Sequence, residues 1–96
     1  MVQRRSPART RALVRMGEHL RSWRKLQGMS ASELARRAHI TRETLRGIED
    51  GTGSPRIDSL FAVASVLGVV DTLVTALDPL TTDAGRALAI EGPRPR

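Results

Sequence analysis

The sequence predicts an all-α domain of five helices, and three features carry that prediction. Apolar residues recur at spacings of three and four in five separate stretches. Gly28, Gly51 and Gly68 stand where three of those stretches should end. Between Ser30 and Gly51 two stretches are joined by His39 and Ile40 alone, a connection short enough to predict a helix-turn-helix.

The 96 residues make one small domain with ragged ends. Residues 1–10 read as a disordered basic arm, 11–78 as the folded and dimerising domain, and 79–96 as a C-terminal tail. A core of this size is marginal alone, so pairing with a second copy would stabilise it.

The first helix is expected from Arg11 to Gln27, with Leu13, Met16, Leu20 and Trp23 as its buried stripe and Gly28 as its stop. Trp23 is expected in the core. Arg24 stands apart on this helix, because Glu49 is a suitable acidic partner for its guanidinium fork. The second helix starts at Ser30, which has Glu33 at the capping-box spacing, and buries Leu34, Ala35 and Ala38. In the turn, Ile40 plugs the core and His39 takes the left-handed backbone position at a cost of about 1 kcal/mol. Thr41 caps the third helix, which turns Leu45 and Ile48 inward and leaves Arg42, Glu43, Arg46 and Gly47 outward.

Thr52-Gly53-Ser54-Pro55 is a loop of turn formers. The fourth helix then follows from Ile57, Leu60, Phe61, Ala64 and Leu67, and stops at Gly68. Asp71 is expected to cap a fifth helix that runs through Leu77, with Pro79 forbidding its extension. Val69, Val70, Leu73, Val74 and Leu77 exceed what so small a core consumes, and the surplus reads as a dimer interface. The tail is expected to make one short helical turn near Thr82–Ala89 and to end in unpacked Gly-Pro-Arg-Pro-Arg.

Charge narrows the function. Residues 1–46 carry 12 Lys/Arg against 3 Asp/Glu, a net +9, whereas residues 47–96 carry 4 against 7, a net −3. Like charge crowded beside the helix-turn-helix repels itself, and a polyanion relieves that repulsion. Trp23 and Phe61 are the only aromatic residues, too few for a base-stacking platform, so duplex DNA is the expected partner. Cysteine is absent, and the two histidines have no acidic cluster around them, so no metal, cofactor or enzymatic role is expected. No apolar run reaches spanning length, and the basic N-terminus lacks a signal peptide's apolar segment. The expectation is a soluble, cytoplasmic protein.

The pattern of Leu20, Arg24, Gly28, Leu34-Ala35, Arg37-Ala38, Ile40-Thr41, Leu45, Ile48-Glu49, Gly51, Pro55, Leu60 and Leu67-Gly68 resembles the Xre-type helix-turn-helix family, the fold of phage repressor DNA-binding domains. Beyond it, the run from Ala76 to Ala87 looks like the tail of HipB-like regulators. That resemblance implies an antitoxin dimer that binds its own operator and sequesters a HipA-like serine/threonine kinase toxin. A stand-alone Xre-type regulator, or an antitoxin that works mainly by holding a kinase, are the alternatives. Two positions depart from the family: Ala31 replaces a common glutamine that touches phosphate, and Gly47 replaces a long polar residue that reaches a base.

The reading that follows is a sequence-specific repressor on a palindromic operator. Arg42 can fork onto guanine O6 and N7, and Glu43 can accept from cytosine N4. Arg46 can read a base or grip a phosphate, and Thr41 and Thr44 can donate to phosphates or pack on a thymine methyl. Ser30, Ser32, Arg36 and Thr52, with Thr44, are the expected contacts to the DNA backbone.

Overall fold

In the computed structural model, residues 5–93 are described. They form α1 (Pro7–Leu26), α2 (Ala31–Arg37), α3 (Arg42–Asp50), α4 (Ile57–Leu67), α5 (Val70–Ala76), a 3₁₀ turn (Pro79–Thr81) and α6 (Asp83–Glu91). No strand occurs among the described residues.

α1 begins at Pro7 rather than Arg11. The Ser6 hydroxyl accepts from the Arg9 amide at 3.2 Å, and Pro7 sits at the first helical position, where its missing N–H has no consequence. Pro7 to Thr10 are therefore helical rather than part of a disordered arm; Met1 to Arg4 lie outside the described residues.

The core joins Leu20, Met29, Leu34, Ala35, Ala38, Leu45, Ile48, Val63, Ala64, Leu67 and Val69, with Ile40 packed against it. Trp23 is not in it and stays 46 % exposed. The reason is Gly17. A Cβ there would lie 2.4 Å from the Glu49 carbonyl oxygen and 2.6 Å from that of Ile48, so α1 meets the end of α3 backbone to backbone. The contact line runs through Gly17, Leu20 and Arg24, and Trp23 falls at its edge. On α4 the buried stripe is likewise rotated from the expected one: Val63, Ala64 and Leu67 are inside, while Ile57 is 71 % exposed.

The predicted stops and starts hold through the centre of the chain. Ser30 Oγ accepts from the Glu33 amide at 3.1 Å, while the Glu33 carboxylate pairs with Arg37 at 2.6 Å. α2 ends through His39 at φ 56, with the Ile40 amide returning to the Ala35 carbonyl at 3.0 Å. Thr41 Oγ1 accepts from the Thr44 amide at 3.0 Å. Gly51 closes α3 at φ 71, where a Cβ would also meet the Val14 backbone at 2.6 Å; only glycine suits both demands.

α5 differs from expectation. It is preceded by Val69, with Asp71 in its first turn rather than at its cap. Val69 is buried, Val70 and Leu73 are half-buried against the core, and only Val74 and Leu77 stand clear at 56 % and 85 % exposure. The expected surplus is thus reduced, because Val69 closes the monomer core.

The tail is more ordered than one turn. Thr82 Oγ1 caps α6 by accepting from the Gly85 amide at 3.0 Å, Asp78 Oδ1 accepts from the Leu80 amide at 2.9 Å, and Arg86 pairs with Asp83 while donating to the Leu80 carbonyl at 2.9 Å. α6 packs mainly on the 3₁₀ turn and leaves Leu80, Leu88 and Ile90 exposed. The expected unpacked end, Arg94 to Arg96, lies outside the described residues.

Candidate nucleic-acid interface

The outward side of α3 follows from its length and its buried residues. With Leu45, Ile48 and Glu49 inside, the helical period leaves Arg42, Glu43, Arg46 and Asp50 on the exposed side. Two grooves flank this ridge. One of about 500 Å³ is lined by Thr41, Glu43, Thr44, Arg46, Gly47, Asp50, Thr52, Ser54 and Pro55. The other, of about 310 Å³, runs past Arg21, Arg24, Lys25, Ala31, Arg42, Leu45, Arg46 and Glu49. Arg46 lines both.

The ion pairs divide the cations into two groups. Arg21, Arg24, Arg37 and Arg86 have carboxylate partners, whereas Lys25, Arg36, Arg42 and Arg46, together with Arg56 and the described arginines ahead of Glu18, join no ion pair among the described residues. Four of the unpaired cations, Lys25, Arg36, Arg42 and Arg46, stand on α3, at the end of α1 and on α2. Their charge faces solvent without internal compensation, which suits an anionic partner.

The expected pair is made. Arg24 donates from Nε to Glu49 Oε2 at 2.8 Å and from Nη2 to Oε1 at 3.1 Å, with Nη1 on the Met29 carbonyl at 3.0 Å. The sequence reading missed Arg21, which donates to Glu49 Oε1 at 3.2 Å and to Asp50 Oδ1 at 2.8 Å. Hydrogen bonds to Asp50 and then Glu49 hold the Arg21 guanidinium above its ordinary pKa. Its place three residues before Arg24 on the same face, with Asp50 next to Glu49, was a signal that could have revealed it.

The hydroxyls are less free than their residue types suggest. Thr41 Oγ1 donates to Thr44 Oγ1 at 2.9 Å, so its one hydrogen is already engaged. Thr44 keeps its own hydrogen for an outside acceptor. Thr52 Oγ1 donates to the Gly47 carbonyl at 3.2 Å and accepts from the Ser54 amide at 3.3 Å, which ties the loop to the end of α3. Ser30, Ser32 and Arg36 are exposed along α2. Gly47 leaves no empty notch: a Cβ would meet Pro55 Cγ at 3.1 Å and Thr52 Oγ1 at 3.2 Å.

No helix among the described residues is long and apolar enough to cross a membrane, and no group of three or more His, Cys, Asp or Glu among them could hold a metal. A family model described as helix-turn-helix matches residues 20–72, from Leu20 on α1 to Thr72 on α5. Neither curated proteins nor solved structures give a match to the chain. The matched stretch contains both capped helices, the left-handed turn between them and the solvent-facing cations of α3. The chain belongs to the Xre-type helix-turn-helix family and is a DNA-binding regulator.

Proposed function

We propose that the protein is a dimeric, sequence-specific repressor of a palindromic operator, and the autoregulating antitoxin of a HipBA-like pair. The observation that carries the DNA reading is the unpaired arginine ridge of α3 between its two grooves. Arg42 and Glu43, in the first turn, read base edges. Arg46 serves a base or a phosphate on the groove it shares with Lys25. Ser30, Ser32, Arg36 and Thr44 hold the DNA backbone. Thr41 and Thr52 contribute chiefly by fixing the two ends of α3, given where their hydroxyl hydrogens go.

The dimer rests on Val74 and Leu77, with Val70 and Leu73 at its edge. A twofold axis through this region sets two reading helices one helical turn of DNA apart, about 34 Å, or a multiple of it. The test is a mobility-shift titration against the chain's own upstream region and a scrambled duplex across a salt series. Salt-sensitive preference for the upstream duplex is expected; equal affinity for both defeats specific readout.

The kinase partner is supported by the tail's resemblance and by the apolar residues that the 3₁₀ turn and α6 leave uncovered. A HipA-like kinase encoded beside this chain should bind it, and removal of residues 79–96 should weaken that complex while operator binding persists. With no such neighbour, the chain is a stand-alone regulator.

A further inference from the structure

Five arginines precede the chain's first acidic residue, Glu18, and four of them, Arg5, Arg9, Arg11 and Arg15, are among the described residues. Of these four, Arg5 stands just before α1 and the others lie on its first turns, a part that the core does not require: every residue from Pro7 to Ala12 is exposed, and Leu13 is the first to be even half-buried. None of the four joins an ion pair among the described residues. A helical stretch that buries no apolar side chain and concentrates one sign of charge gains its purpose from outside the monomer.

Its position says where. Arg5 Nη2 donates to the Thr52 carbonyl at 2.6 Å, and Thr52 lines the groove beside the reading helix. The Arg5 guanidinium is therefore held at the rim of that groove with most of its five N–H donors unused. A second arginine follows from α1 itself. Arg21 reaches Asp50 on the outward side of α3, and Val14, seven residues earlier on the same stripe, lies against Gly51. The stripe continues by one more step of three to Arg11, past the end of α3.

We propose that Arg5 and Arg11 form a second phosphate clamp, gripping the DNA backbone beyond the bases that α3 reads. This rests on the DNA-binding reading above and extends it: the footprint of each domain is longer than its recognition helix requires. The clamp adds affinity and salt dependence and carries no sequence preference.

The test compares three proteins on the upstream duplex and on a scrambled one: the full chain, the charge-removing double variant Arg5→Gln/Arg11→Gln, and the charge-keeping Arg5→Lys/Arg11→Lys. Two lost phosphate contacts should flatten the slope of log K against log salt by about 2, equally on both duplexes, with operator preference unchanged. The lysine pair should keep most of the slope. Ethylation interference with the full chain should mark phosphates outside the base-contacted half-site, and those marks should vanish with the glutamine pair. An unchanged slope for the glutamine pair overturns the clamp while leaving the operator reading intact. A slope lost equally in both variants also overturns it, because the arginines would then act by bracing the Thr52 loop. If the full chain binds neither duplex, the clamp and the operator reading fall together.

Discussion

Arg24 and Glu49 meet as a fork, two guanidinium nitrogens on two carboxylate oxygens at 2.8 and 3.1 Å, with the carboxylate only 4 % exposed. This joins the first helix to the last turn of the reading helix. Glu49 is the one buried charged residue among the described residues, so its partners decide whether the fold tolerates it. Arg24→Ala or Glu49→Ala should lower stability by roughly 3 kcal/mol, since each leaves a largely buried charge short of its partner. Arg21→Ala, whose side chain is 38 % exposed, should lose less than about 1 kcal/mol. Urea melts of the three variants check the ranking, and equal small losses for all would place the network at the surface.

Arg42 joins no ion pair and sits in the first exposed turn of α3, so its removal should leave the fold alone. Arg42→Ala is expected to reduce preference for the operator by about 1–3 kcal/mol, roughly fivefold to more than a hundredfold. Competition binding against operators changed one base pair at a time would locate the position it reads. A uniform loss across all operators, with no position singled out, would make Arg42 a backbone contact.

The α5 region separates interface from core by exposure. Val74→Glu and Leu77→Glu should give folded monomers with weakened operator binding, whereas Val69→Glu should unfold the domain by burying an unpaired charge. Leu73→Glu should also destabilise, because Leu73 packs on the core. Sedimentation beside circular dichroism reads both properties. Dimers that survive Val74→Glu and Leu77→Glu would move the interface to the tail.

His39 holds a left-handed backbone at φ 56 with an exposed side chain. His39→Gly should therefore stabilise the domain by about 1 kcal/mol, offset in part by glycine's greater freedom when unfolded. A shift of several degrees upward in Tm is the expected readout. A lower Tm would show that the imidazole contributes more than the strain it tolerates.

The centre of the fold was legible because its signals are local. Ser30, Thr41 and Gly51 announce helix ends by side-chain type, and the Arg24–Glu49 pair follows from charge type and position. What escaped was set by residues that periodicity cannot weigh. Gly17 has no side chain to count, yet it sets the contact line that puts Trp23 outside. Val63 lay one step off the apolar stripe read from Ile57, and the packing of α4 chose it. The start of α1 depended on Ser6 and Pro7, a capping pair masked by the basic run around it. In the reading region, Arg42, Glu43 and Arg46 were legible as outward residues. The engagement of the Thr41 and Thr52 hydroxyls was not, because it depends on distances across the turn and the loop.

Where α1 crosses the end of α3, Gly17 and Gly51 make the junction a bearing of main chain against main chain. Side chains in a core can change rotamer and let one helix roll on another; peptide planes in contact have no such freedom. The angle at which α3 is presented is thus set by close main-chain contact more than by the mix of aliphatic residues behind it. Core substitutions elsewhere can loosen the domain without re-aiming the helix, so stability and sequence preference should vary independently across such variants.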